Sequence, residues 1–181
     1  MKKTFVLFAI AAIAVASTFA LIKYTRMESF AFAIALNFLL MLFVVIFTDV
    51  LKSPFNFSHF DERKWERKGV VYESLGVNLF RKLLIWTGWE KVIRKAHPVE
   101  KNTKALTNLY YQTKKSEVDH TFILLIVLGF NIFVAVKFGL IKSMSLLISN
   151  ILLHVYPIIL QRYNRPRIAR AIKISERKAT R

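Results

Sequence analysis

Residues 30–48 read FAFAIALNFLLMLFVVIFT and contain no charged side chain. A helix needs roughly 20 predominantly apolar residues to cross the hydrocarbon core of a bilayer. Three further stretches are of the same kind, namely 4–22, 121–141 (in which only Lys137 is charged) and 144–160. A backbone inside the bilayer must satisfy its own hydrogen bonds, so such stretches are helices. The sequence therefore predicts an all-α integral membrane protein with about four transmembrane helices.

The composition of the chain is that of a membrane protein. Of 181 residues, 55% are hydrophobic, and the mean hydropathy of +0.39 is too high for an ordinary soluble domain. The absence of cysteine excludes disulfides, thiolate metal ligands and a cysteine nucleophile. The chain has a net charge of +17, and its basic residues occur next to apolar stretches. Basic clusters beside a membrane are ordinarily attracted to anionic lipid. We therefore expect membrane lipid as a partner and no nucleic acid.

The basic residues are distributed unevenly between the two sides of the predicted membrane. With four spans, 24 of the 28 Lys and Arg residues fall on one side, which the positive-inside rule assigns to the cytoplasm. The sequence thus predicts a multi-pass protein of the cell membrane with both termini in the cytosol, and it leaves the oligomeric state open. As an alternative, Lys2, Lys3 and the small residues 14–16 imitate a secretory signal peptide, whose cleavage would leave three spans. We expect the first stretch to be retained.

The order of these stretches divides the chain into four parts. They are a hairpin of two transmembrane helices (1–50), a cytosolic or interfacial amphipathic helical segment (51–119), two further transmembrane helices (120–161) and a basic cytosolic tail (162–181). Within the second part, residues 61–89 alternate apolar and charged side chains at near-helical spacing. Gly69, Gly76 and Gly88 predict that this segment consists of short helices. It either lies in the interfacial plane or packs as a helical hairpin beneath the spans.

Polar residues recur on one face of the fourth stretch. They follow each other at steps of four and three residues, which keeps them on the same side of a helix: Asn150, His154, Pro157, Gln161 and Asn164. Polar groups at membrane depth are costly and often mark function. Because Pro157 has no N–H, it leaves the carbonyl of Leu153 without its helical partner. A kink is therefore predicted beside His154.

The third stretch begins with Glu117 and His120, which are three residues apart and share a helix face. The third and fourth helices run in opposite directions. Asn131 lies as far beyond His120 as Asn150 lies before Gln161. If the two helices pack at equal depth, Glu117 and His120 face residues 161–165, and Asn131 faces Asn150.

Two interpretations of Glu117 and His120 remain open at this point. A histidine hydrogen-bonded to a carboxylate can act as a general base near neutral pH. Alternatively, the two residues anchor the span while the asparagines hold helices together. A carboxylate–histidine metal site in a helical bundle needs a second such motif and further carboxylates, so we expect no metal and no cofactor.

Five segments carry a resemblance to a known family. They are 53–57 (SPFNF), 65–66 (WE), 79–82 (LFRK), 114–120 (KKSEVDH) and above all 161–167 (QRYNRPR). Over residues 52–174 the chain resembles the glycosyl-4,4'-diaponeurosporenoate acyltransferase family, which is credited with the last step of staphyloxanthin-type carotenoid synthesis. The resemblance implies a membrane acyltransferase that esterifies a hydroxyl of a glycosylated lipid with a fatty acyl group at the cytosolic interface. It implies acyl-CoA or an acyl carrier protein as donor.

The resemblance also implies roles for individual residues. His120, oriented by Glu117, would deprotonate the attacking hydroxyl, and arginines would bind donor phosphates or an acidic carrier protein. The amides of Gln161 and Asn164 would hold the sugar or the developing oxyanion. The candidate substrate-binding residues are Asn150, His154, Gln161, Arg162, Tyr163, Asn164, Arg165 and Arg167. The rival hypothesis is a non-enzymatic membrane protein whose basic tail binds anionic lipid or a partner.

Overall fold

The computed structural model describes residues 2–55, 57–96 and 102–179, so Asn56 of the SPFNF segment lies outside it. Within these ranges the regular elements are helices and turns of helix, without a strand. Four helices are long and apolar enough to cross a membrane: Lys2–Tyr24, Phe30–Leu51, Thr103–Phe138 and Leu140–Lys178. The predicted all-α membrane protein with four spans is thus confirmed. The chain divides into two compact units: a first unit of Met1–Ser53 with Val118–Pro157, and a second unit of Pro54–Glu117 with Ile158–Arg181.

The first unit begins with a helical hairpin of α1 (Lys2–Tyr24) and α2 (Phe30–Leu51). The hydroxyl of Ser29 starts α2 by accepting a 3.1 Å hydrogen bond from the N–H of Phe32, one of the donors that a first helical turn leaves unpaired. None of the side chains of α1 is buried. An apolar helix of this length that exposes its side chains is suited to a lipid environment.

The core of the first unit lies between α2 and the third and fourth membrane helices. Its third helix is the membrane part of α6 (Thr103–Phe138), and its fourth begins with α7 (Leu140–Asn150). The buried apolar core consists of Phe32, Ala33, Leu36 and Leu40 from α2, Ile123, Val127 and Val134 from α6, and Leu146 from α7. Shape-matched packing rather than water exclusion holds such helices together inside a bilayer.

A single residue, Gly139, separates α6 from α7. Its φ of 97° lies in the left-handed region, which glycine adopts without the penalty of a Cβ. This turn corrects two predicted boundaries. The third helix ends at Phe138 and does not continue to residue 141, and the fourth begins at Leu140 and not at residue 144.

The fourth membrane helix contains an irregular turn in its middle. After α7 the chain forms a π-helical turn, Ile151–Val155, and then continues as α8 (Tyr156–Ala179). The kink predicted beside His154 stays a prediction; the helix has a π turn there, which ends two residues before Pro157. The segment predicted as a basic tail is helical as far as Ala179, with Pro166 inside the helix.

The second unit contains the short helices predicted from the glycine spacing. Two 3₁₀ turns, Ser58–Phe60 and Lys64–Gly69, precede α3 (Val71–Ser74), α4 (Val77–Trp86) and α5 (Trp89–Ala96). The interruptions coincide with the three glycines, which all have positive φ. A small buried cluster of Tyr72, Val77 and Tyr163 packs this region against α8.

Candidate functional site

Two clusters of polar side chains, one in each unit, contain several of the residues singled out in the sequence. The first, the histidine cluster, consists of Asn37, His120 and His154. The Nδ1 atoms of His120 and His154 are 3.0 Å apart, and the ring centroids are separated by 5.3 Å. The Nε2 of His154 is 2.7 Å from Oδ1 of Asn37. Asn37 and His154 are both 0% exposed, whereas His120 is half-buried.

The helices that meet in the first unit explain how three polar side chains are accommodated at membrane depth. Asn37 comes from α2, His120 from α6 and His154 from the π turn. Each of these costly polar groups is therefore paired with another.

The alignment of α6 with α7 differs from the predicted one. Asn131 donates to the carbonyl of Ser143 at 2.8 Å, and Asn150 donates to the carbonyl of Leu124 at 3.2 Å. The expectation that the two asparagines face each other is therefore wrong: each bonds to backbone on the opposing helix. The expectation assumed equal depth from the charged ends, whereas the one-residue turn at Gly139 sets the register.

The partner of His120 also differs from the predicted one, because the same register applies. We expected it to lie level with Gln161, but its ring contacts His154, seven residues earlier. Seven residues correspond to roughly 10 Å along a helix. Asn150, one turn before His154, has a buried side-chain oxygen without a hydrogen-bond partner among the described residues. An unsatisfied acceptor of this kind is costly and is a natural position for a ligand hydroxyl.

The second cluster, the ion cluster, consists of His59, Glu66, Glu117, Arg162 and Arg165. Oε1 of Glu117 accepts from Nε of Arg162 at 2.8 Å and lies 3.1 Å from Nε2 of His59, while its Oε2 accepts from Arg165. Arg162 also donates to Glu66 at 3.0 Å. The side chains of Glu66, Glu117 and Arg165 are at most 5% exposed. The expected proximity of Glu117 to residues 161–165 is thus found in this unit.

Hydrogen bonds keep Glu66 ionised despite its burial. The hydroxyl of Tyr72 donates to it at 2.6 Å, and the N–H of Arg63 donates at 2.8 Å. Burial raises the pKa of the Glu66 carboxyl, but these bonds and the charge of Arg162 outweigh it and lower the pKa below the ordinary 4.5. Burial, together with the bond to Glu66, raises the pKa of Tyr72. Two carboxylates and two guanidiniums therefore face one another as charged groups.

The N–H groups of Arg162 and Arg165 form hydrogen bonds with other groups of the protein. Arg165 bonds to the hydroxyl and carbonyl of Thr113 at 3.2 and 3.1 Å and to the carbonyl of Phe60 at 3.2 Å. Arg162 donates to the carbonyl of His59 at 2.6 Å. Because a guanidinium has five N–H donors, these contacts use most of its capacity. The geometry is that of an internal scaffold between α8 and the segment before α3.

The remaining predicted residues lie along α8. Gln161 donates to the hydroxyl of Ser116 at 3.2 Å, and Asn164 is half-buried. Tyr163 donates to Glu73 at 3.2 Å. The guanidinium of Arg167 lies 3.6 Å from the centroid of the Tyr163 ring, and its side chain is 40% exposed. Of the three arginines, Arg167 is the most accessible to a ligand.

Some cluster members were not assigned a role from the sequence. Asn37 stands out as a polar residue in an apolar stretch, but its partner is more than a hundred residues away. His59 and Glu66 carry no distinguishing spacing, although Glu66 belongs to the WE segment of the resemblance. Within residues 2–55, 57–96 and 102–179, no group of three or more His, Asp or Glu side chains is placed to hold a metal ion.

Comparison with known proteins adds one finding. The family model described as glycosyl-4,4'-diaponeurosporenoate acyltransferase matches residues 56–174, more than half of the chain. Neither the curated proteins nor the solved structures give a match. The matched region contains all of the ion cluster together with His120 and His154, whereas Asn37 precedes it.

Proposed function

Because the chain belongs to the glycosyl-4,4'-diaponeurosporenoate acyltransferase family, we propose that it transfers a fatty acyl group to a hydroxyl of a glycosylated membrane lipid. The family match is the observation that carries this proposal. A glycosyl carotenoid is the acceptor that the family's description specifies. The donor is a thioester, either acyl-CoA or an acyl carrier protein, and transfer takes place at the cytosolic face of the cell membrane.

In the proposed reaction, His120 is the general base. The acceptor oxygen attacks the carbonyl carbon of the thioester, a carbon–oxygen bond forms, and the carbon–sulfur bond breaks. His120 takes the proton from the hydroxyl and delivers it to the departing thiolate. This direct transfer needs no serine or cysteine nucleophile, and the chain contains no cysteine. The partial exposure of His120 supports its contact with a substrate.

Two features support the proposed binding positions of the acceptor and the donor. The unpaired, buried oxygen of Asn150 would accept a hydrogen bond from a hydroxyl of the acceptor. The exposed guanidinium of Arg167 would bind phosphate groups of the donor. We assign Arg162 and Arg165 a different task, since their ion pairs with Glu66 and Glu117 are at most 9% exposed, whereas Arg167 and its partner Glu73 are 40% and 41% exposed. They hold the start of α8 in place.

The experiment uses membranes that contain the full chain, supplied with glucosyl 4,4'-diaponeurosporenoate and with palmitoyl-CoA or palmitoyl acyl carrier protein in turn, and the ester is measured by mass spectrometry. His120→Ala and His120→Gln should each lower the rate by roughly 10²- to 10⁴-fold, at an unchanged level of protein in the membrane. Lys137→Gln, at the far end of α6, is the control and should behave like wild type. A wild-type chain that forms no ester from either donor, or a His120→Gln variant with normal turnover, would overturn the proposal.

A further inference from the structure

The histidine cluster contains a second imidazole ring, that of the fully buried His154, which is hydrogen-bonded to His120. We propose that Asn37 and His154 position His120 for catalysis, so that the base is the outer member of a hydrogen-bonded histidine pair. This inference rests on the proposed acyl transfer. It gives His154 the orienting task that the sequence assigns to Glu117.

The amide of Asn37 determines the direction of the chain of hydrogen bonds. Its Nδ2 donates to the carbonyl of Ala33 at 2.6 Å, so the group facing His154 is the oxygen. An amide oxygen only accepts, which requires a proton on Nε2 of His154. A charged imidazole is costly among apolar helices. His154 is therefore neutral, and its Nδ1 carries the lone pair.

The lone pair on His154 then sets the tautomer of His120. The two Nδ1 atoms are 3.0 Å apart, so Nδ1 of His120 is the donor. A neutral His120 with its proton on Nδ1 has its lone pair on Nε2. That atom is available to take the proton of a substrate hydroxyl.

Burial distinguishes the two rings. Asn37 and His154 are 0% exposed and their polar atoms are hydrogen-bonded to each other, whereas the ring of His120 is partly exposed. Glu117 is a weaker candidate for the orienting role, because its carboxylate already accepts hydrogen bonds from Arg162 and Arg165. Its negative charge is therefore balanced within the ion cluster.

The test compares leucine and glutamine at position 154 in the purified full chain, with glucosyl 4,4'-diaponeurosporenoate and palmitoyl-CoA as substrates. His154→Leu removes the acceptor for His120 and should lower kcat on the order of 100-fold, the usual effect of a misplaced catalytic group, with KM unchanged. His154→Gln retains an oxygen that accepts from His120 and an amide that donates to Asn37. It should recover most of the lost kcat.

Asparagine-to-leucine replacements supply a matched comparison. Asn37→Leu should lower kcat in the same way as His154→Leu, whereas Asn131→Leu should not, because Asn131 bonds to the Ser143 backbone rather than to a member of the histidine cluster. Wild-type kcat in His154→Leu, or a folded His154→Gln variant as slow as His154→Leu, would overturn the positioning role. If wild type forms ester and His120→Ala does not, such results leave the proposed function standing. If wild type forms no ester, the proposed function itself fails.

Discussion

At the scale of single residues, the carboxylate of Glu117 is bound by two guanidinium groups and a histidine ring. His59, Arg162 and Arg165 all contact it. Removing an ion from water costs several kcal/mol, and the attraction to buried partners offsets this only when the geometry is good. The loss of one member therefore leaves the others buried and uncompensated.

We predict that Glu117→Ala lowers the free energy of unfolding by about 3–5 kcal/mol, the usual cost of breaking a buried ion pair from one side. The measurement is thermal or denaturant unfolding of the purified chain in detergent. Glu28→Ala is the control, since its partner Arg26 has an 80% exposed side chain. A solvent-screened pair of this kind contributes little to stability. Normal stability of Glu117→Ala combined with lost turnover would instead return Glu117 to the catalytic role expected from the sequence.

The histidine cluster shows how far single residues can be interpreted without a structure. Polarity inside apolar stretches is visible in the sequence and identifies Asn37, His120, Asn150 and His154. Their pairing is not visible, because a hydrogen bond depends on which helix faces meet. The spacing of Glu117 and His120 favours a pair along one helix, whereas the contacts described for each lead to other elements.

At the scale of elements, the turn at Gly139 determines which residues of α6 and α7 meet. Three pairs share one offset: Asn131 with Ser143, Leu124 with Asn150, and His120 with His154. In each pair the residue on the α6 side lies four positions further from Gly139 than its partner. Counting outward from this glycine would have come within four residues of the observed register. Counting inward from the charged ends did not, because α8 continues helically far past the apolar stretch.

We predict that Gly69→Ala destabilises the chain more than Gly88→Ala does. Both glycines have positive φ, at 88° and 78°, so each alanine suffers backbone strain of roughly 1–2 kcal/mol. A Cβ at Gly69 would in addition lie 3.0 Å from the carbonyl oxygen of Tyr163, whereas at Gly88 it meets nothing within 4 Å. Overpacking of this kind costs about a further 1–3 kcal/mol.

The melting temperatures of the two purified variants in detergent measure this difference. Gly88→Ala reports strain alone, so the gap between the variants isolates the contact of the 3₁₀ turn with α8. Equal melting temperatures would show that the turn ending at Gly69 does not pack closely against the backbone of Tyr163.

At the scale of the whole molecule, four spans and the distribution of basic residues point to one orientation. Within the first unit, the Lys3 ammonium donates to the carbonyl of Leu51 at 2.8 Å, so the start of α1 and the end of α2 lie together. Toward the other end, the rings of Phe32 near the start of α2 and Phe130 in α6 are 6.2 Å apart. The link between α1 and α2 and the turn between α6 and α7 therefore share a side. Few basic residues occur in these two connections, so we predict that they are the outer ones.

We predict that Lys142→Cys reacts with a membrane-impermeant maleimide on intact cells, whereas Lys3→Cys and Lys173→Cys react only after permeabilisation. The chain has no cysteine of its own, and all three positions are exposed, so labelling reports the side of the membrane directly. Because basic segments remain in the cytosol, residues 3 and 173 should behave alike. External labelling of Lys173→Cys would reverse the orientation. A Lys3→Cys chain that stays unlabelled even after permeabilisation, while Lys173→Cys reacts, would show that the first span is removed as a signal peptide.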